Sequence, residues 1–181
     1  MSIGQRRATL DDLYNEPGKA ELIGGRVVKF MPTGRLPHRV SFRIARSLDD
    51  YAQQVGKGEA YADSIGFTIP ELSSGRESFC PDASYYDGKF PADRMRFIEG
   101  PPTFAVEVRS ANAEETEMVD KRADYFEAGT KVVWDVDPEA ELVHKYLPSD
   151  PRKPITFSRG QIADAEPAVP GWKMDVDSIF K

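Results

Sequence analysis

The sequence predicts an α/β fold in which one central mixed β-sheet is flanked by helices. Three observations carry that prediction. Thr103–Arg109 alternates strictly between two faces, a helix-forming stretch follows from Glu114 to Ala128, and Lys131–Val136 is then almost wholly apolar. A strand–helix–strand passage of this kind closes in parallel through a right-handed crossover. Further β-prone runs lie on both sides of it. The length of 181 residues suits about one domain, and without repeats or a long linker residues 1–181 are expected to form it.

The elements follow in order. Thr9 is a good N-cap for Leu10-Asp11-Asp12-Leu13, and Pro17-Gly18 stops that short helix. Ala20–Ile23 and Arg26–Phe30 flank Gly24-Gly25, a hairpin signal. Between Pro37 and Val55 the residues Val40, Phe42, Ile44, Ala45, Leu48 and Tyr51 fall mostly at helical spacing, which predicts a long helix. Ala60-Tyr61 and Ile65–Ile69 read as strands, the second closed by Pro70. A polar loop, Glu71–Glu77, leads to a strand over Phe79–Tyr86.

Asp87–Pro102 is rich in glycine, proline and charge, so a surface connection with room for one helical turn is expected. On the next strand Phe104, Val106 and Val108 face one way, and Ala105, Glu107 and Arg109 the other. The following helix carries acids in its first turn and ends at Gly129. Lys131–Val136 has the composition of a buried central strand. Asp137-Pro138-Glu139-Ala140 then turns the chain into a strand over Leu142–Leu147. From Pro148 onward two or three short strands are expected at most, broken at Pro170-Gly171-Trp172.

A hydrophobic content of 40% and a charged content of 30% are those of a soluble globular protein. No apolar run approaches the ~20 residues of a membrane span. The first residues lack the apolar stretch of a secretory signal, and the single Cys80 excludes an intramolecular disulfide, so a cytoplasmic location is expected. The net charge of −6 counts against a strong, nonspecific grip on nucleic acid. It leaves room for a local basic groove. Arg35, His38, Arg39, Arg43 and Arg46 form the densest basic segment, and Lys121-Arg122 a second; the plain alternative for both is solvated helix surface.

Chemistry concentrates in Asp82 and Glu107. Each sits at or inside a short apolar run, and a half-buried charge is costly unless it is paired or holds a metal. Neighbouring strands lie about 4.8 Å apart, so two carboxylates on one face can share a divalent ion. Mg²⁺ favours oxygen ligands, retains waters and accepts phosphate. Such an ion lowers the pKa of a bound water and offsets charge on a phosphodiester. Lys121, on the helix after Glu107, can project an ammonium back toward it. Arg109 shares the strand face of Glu107; it can grip phosphate but cannot shuttle a proton. Plain structural roles compete: Asp82 capping a turn, Glu107 paired with Arg109 or Arg96, and Glu117 paired with Lys121 along the helix.

One set of residues resembles a known family. Glu21-Leu-Ile-Gly-Gly-Arg, Met31-Pro32, His38, Pro81-Asp82, Pro101-Pro102-Thr-Phe-Ala-Val-Glu107-Val-Arg-Ser110, Lys121-x-x-x-Tyr125, Ala128-Gly129 and Trp134-x-Val-Asp137-Pro138 are similar, in order and spacing, to the Uma-two family of bacterial endonucleases. That family falls in the PD-(D/E)xK, restriction-endonuclease-like superfamily. The resemblance implies a restriction-endonuclease-like fold and a Mg²⁺- or Mn²⁺-dependent endonuclease acting on DNA. It implies that Asp82, Glu107 and the Val108 carbonyl hold the metal, and that the catalytic lysine has moved to the helix as Lys121. Glu21, Arg109 and His38 would be accessory, the alternative for His38 being a satisfied helix-start histidine. Cutting a duplex needs two sites or two events, which makes a homodimer a natural partner state. The alternative is a catalytically inactive member of the fold that binds nucleic acid or protein.

Overall fold

The computed structural model describes residues 6–111 and 115–181. The elements in chain order are α1 (Leu10–Tyr14), β1 (Ala20–Ile23), β2 (Arg26–Lys29), α2 (Arg35–Val55), β3 (Glu59–Ala62), β4 (Phe67–Thr68), β5 (Ser78–Phe79) and β6 (Ala83–Tyr86). They continue with β7 (Ile98–Glu99), β8 (Phe104–Val108), α3 (Glu115–Ala128), β9 (Val132–Asp137), β10 (Leu142–Leu147), β11 (Asp150–Phe157), β12 (Ile162–Asp164), β13 (Lys173–Asp175) and α4 (Val176–Ile179). The expected helix start at Glu114 lies outside the described residues. No helix among the described residues is long and apolar enough to cross a membrane.

The central sheet has six strands in the order β11-β10-β9-β8-β6-β3. β8 and β9 pair in parallel, as a strand–helix–strand unit requires, and the other pairs are antiparallel. Alternation along β8 decides what each face receives. Phe104, Val106 and Val108 pack with Val40, Ile44 and Leu48 of α2, while Ala105 packs with Val133 and Tyr125 of α3. Each fully buried aliphatic side chain at this interface contributes about 1.5–3 kcal/mol.

Several boundaries differ from expectation for identifiable reasons. The long helix starts at Arg35, because Pro37 falls in its first turn, where the missing N–H has no intrahelical partner to lose. The strand expected over Phe79–Tyr86 is two strands, interrupted where Pro81 cannot donate to a ladder. The Asp87–Pro102 connection contains β7, paired in parallel with β4, and no helical turn. β11 runs for eight residues despite Pro151 and Pro154, since it is the edge strand and tolerates missing donors. α4 was not expected.

Near the N-terminus, Thr9 and Asp12 complete a capping box on α1. The β1–β2 turn places Gly24 at φ +57° and Gly25 at φ +68°, the two positive values that a tight type I′ hairpin demands. This hairpin is tied to the segment before β5: Gly24 N–H donates to Gly75 O, and Glu77 N–H to Leu22 O. Glu21 and Arg76 are thereby brought together.

Candidate active site

The site lies at the end of β8 nearest α3. The β6–β8 register pairs Ala83 with Val106, so one residue further on Asp82 stands opposite Glu107. Pro81 ends the ladder here, and Asp82 replaces the missing strand bonds. Its N–H donates to Val106 O (3.1 Å), and its Oδ2 accepts from Val108 N–H (2.7 Å). Asp82 therefore does not cap a turn. In an extended strand a residue's N–H and C=O point to the same edge, so the Val108 carbonyl faces the Asp82 side.

Glu107 is 8% exposed, and its Oε1 accepts from Tyr125 Oη (2.6 Å) and Lys121 Nζ (2.9 Å). Among the described residues its Oε2 accepts no hydrogen bond. Burial pushes the Glu107 carboxyl above its ordinary range; Asp82 and Glu21 push the same way, against the pull of Lys121 and Lys19. Lys121 also reaches Glu21 Oε1 at 3.1 Å. Burial works against its charge, but Glu107 and Glu21 more than offset that and hold it protonated well beyond neutral pH. Tyr125 and Lys121 are one helical turn apart on α3, so one face supplies both contacts.

Glu21 is fully buried on β1, where Arg76 pairs with it, Lys121 contacts it, and Cys80 N–H donates to its Oε1 (2.9 Å). Burial opposes its ionisation, yet Lys121, Arg76 and these hydrogen bonds leave its pKa below the ordinary value. Arg76 Nε also donates to Asp124 (2.7 Å). On the open side, Lys19 Nζ lies 2.6 Å from Asp82 Oδ1 and 2.7 Å from Asp63 Oδ1. Burial pulls the Lys19 pKa down, and the charges of Asp82 and Glu107 raise it by more.

The connected group holds five carboxylates (Glu21, Asp63, Asp82, Glu107 and Asp124) against three cations (Lys19, Arg76 and Lys121). Two negative charges are left in excess within a poorly solvated pocket. A divalent cation is the matching counter-charge, and a protein ammonium already sits on Asp82. The donor set of two carboxylates, one with a free oxygen, and a backbone carbonyl is the hard oxygen set that suits Mg²⁺ or Mn²⁺. No cluster of three or more His, Cys, Asp or Glu side chains suited to a metal occurs among the described residues. Glu21 is accordingly engaged as a partner of Arg76 and Lys121.

Of the residues singled out from the sequence, the structure brings together Asp82, Glu107, Lys121, Val108 and Glu21. Arg109 is turned elsewhere: its guanidinium binds fully buried Asp135 through two 2.8 Å hydrogen bonds and Glu115 at 2.8 Å. His38 is exposed in the first turns of α2, with no hydrogen bond or ion pair to the Asp82 group among the described residues. Glu117 is exposed and makes no ion pair with Lys121 among them. Sequence reasoning missed Lys19, Asp63, Arg76 and Asp124. It noted Tyr125 only as part of Lys121-x-x-x-Tyr125 and gave it no role, although the spacing of four places both on one helix face.

A mixed sheet that sets two carboxylates opposite each other beneath a helix lysine defines a nuclease-like α/β protein. In agreement, the fold matches the crystal structure of "a putative nuclease belonging to DUF820" from Anabaena variabilis ATCC 29413. The TM-score is 0.74 at 18% identity, over 95% of this chain and 97% of that one. Residues 7–177 match the Uma2 family, described as "Putative restriction endonuclease", and the chain belongs to that family. No curated protein matches the sequence.

Proposed function

We propose that this protein is a Mg²⁺- or Mn²⁺-dependent endonuclease that hydrolyses DNA phosphodiesters at the Asp82–Glu107–Lys121 group. The observation that supports this most is the excess of two negative charges around Glu107, whose Oε2 is unengaged while Oε1 is fixed by Tyr125 and Lys121. Asp82, Glu107 and the Val108 carbonyl would hold the cation, which supplies Lewis-acid polarisation of the phosphate and a lowered pKa for water. Tyr125 sets the Glu107 carboxylate in one rotamer. Lys121 remains an ammonium at neutral pH, so its role is to stabilise negative charge on the phosphate oxygens and not to accept a proton. Glu21 and Arg76 position Lys121 and Asp124 from behind.

The test is cleavage of labelled DNA in Mg²⁺ by the wild type, Asp82→Asn, Glu107→Gln and Lys121→Met. Cleavage by the wild type that each substitution removes supports the reading. Cleavage that survives Glu107→Gln comes from another nuclease. A second reading, a catalytically inactive nucleic-acid- or protein-binding module, is favoured by one observation: Lys19 already neutralises Asp82 without a metal. It predicts no cleavage and no Mn²⁺ binding.

A further inference from the structure

We infer that the strand taken up at this site is single-stranded DNA, entering over a base-stacking platform made by Phe30 and Met31 with Arg35 and Arg39 on its phosphates; this rests on the nuclease reading above. Phe30 is 38% exposed, yet its ring centroid lies 5.5 Å from Lys121 Nζ, so an apolar surface opens to solvent directly beside the proposed catalytic ammonium. Met31, next to it, is 87% exposed. A duplex turns its base faces inward and offers neither residue a partner. An unpaired base offers a π-face, and stacking of bases on aromatic side chains is the means by which single strands are held.

The topology carries the basic residues to the same end of the sheet, around the edge from the face that holds Glu107, since α2 packs on the opposite face. α2 leads into β3, and β3 pairs antiparallel with β6 so that Ala62 meets Ala83, one residue from Asp82. The start of α2 therefore lies at the site's end of the sheet. At roughly 1.5 Å per residue a helix of 21 residues is more than twice as long as the four-residue strand it runs along. Its first turns consequently overhang the sheet end, and none of residues 35–39 is buried; the first buried residue is Val40. Arg35 and Arg39 stand one turn apart on this overhang, both exposed, with no carboxylate paired to either among the described residues. No acid occurs between Arg35 and Leu48, in a chain whose net charge is −6. That local reversal of sign is complementary to a polyanion and keeps it to one narrow track.

Binding is measured by fluorescence anisotropy of labelled oligo(dT), oligo(U) and a DNA duplex of equal length, with the full chain in chelator so that no probe is cut. The wild type is expected to prefer oligo(dT) to duplex. Phe30→Ala should weaken oligo(dT) binding by about fivefold or more, the loss of one stacked base, with duplex affinity unchanged. Arg35→Ala/Arg39→Ala should reduce the salt slope for oligo(dT) by about 1.4, at ~0.7 per phosphate contact. Arg35 and Arg39 are exposed, so the melting temperature of their double variant should not move; that of Phe30→Ala, whose ring is partly covered beside Lys121, is measured alongside to confirm that the variant is folded. Duplex bound as tightly as oligo(dT), tighter binding of oligo(U), no binding at all, or Phe30→Ala without effect each overturns the proposal. A chain that binds oligo(dT) through Phe30 and cuts nothing sinks the nuclease reading alone.

Discussion

Glu21 and Glu107 share Lys121, yet the same substitution at the two positions should act on stability with opposite sign. The fold stabilises the Glu21 anion through Arg76, Lys121 and Cys80 N–H, and its pKa is lowered. Glu21→Gln removes the charge from a fully buried site and leaves Arg76 and Lys121 each with one carboxylate fewer. Breaking a buried ion pair from one side costs about 3–5 kcal/mol. In a chain of this length that corresponds to a fall in Tm of about 6–20 °C. Glu107 is the reverse case: burial, Asp82 and Glu21 raise its pKa. A carboxyl whose folded-state pKa exceeds its unfolded value loses stability as pH rises between the two, about 1.4 kcal/mol for each unit of separation. Glutamine mimics the neutral form and keeps an oxygen for Tyr125 and Lys121. Glu107→Gln should therefore be as stable as the wild type at pH 7, or more so. Urea unfolding in chelator measures both. A loss in Glu107→Gln equal to that in Glu21→Gln would mean that the fold stabilises the Glu107 anion as it does the Glu21 anion, contrary to this prediction.

Three further outcomes are expected. Because Glu21 is lowered from 4.5, its contribution is present above that pH and lost as pH falls through the lowered value, so as pH falls below 4.5 the wild type should lose stability more steeply than Glu21→Gln, as read by urea midpoints. Burial pushes the Cys80 thiol up to about 12, so a thiol reagent near pH 8 should label it in urea and not in the native chain; rapid native labelling would contradict its burial. Arg109→Met should cost about 2–4 kcal/mol by stripping fully buried Asp135 of a two-pronged partner, and should leave Mn²⁺ binding unchanged in calorimetry.

The parts of this molecule that local chemistry specifies were legible in the sequence. Thr9 as an N-cap, Gly24-Gly25, and the alternation that put Glu107 opposite the aliphatic residues of β8 each act within a few residues. Lys121 came from the family resemblance, with helical spacing allowing it to reach the sheet only if its face packs there. What could not be read was contact across distance. Lys19 meets Asp82 from 63 residues away and Arg76 meets Glu21 from 55, and no window of sequence relates them. Arg109 looked like a site residue because it shares a face with Glu107. Its bond to Asp135 depends on the parallel register of β8 and β9, which pairs Glu107 with Asp135. Two elements extend past prolines because position cancels the usual cost: α2 begins two residues before Pro37, which falls in its first turn, and β11 carries Pro151 and Pro154 on a sheet edge.

Asp82 and Glu107 are proposed to hold one divalent cation together. Calorimetric titration of Mn²⁺ into the wild type, Asp82→Asn and Glu107→Gln tests it without reference to any substrate. One ion bound per wild-type chain and none by either variant is the predicted result. Absence of binding by the wild type, or binding that both variants retain, would contradict it.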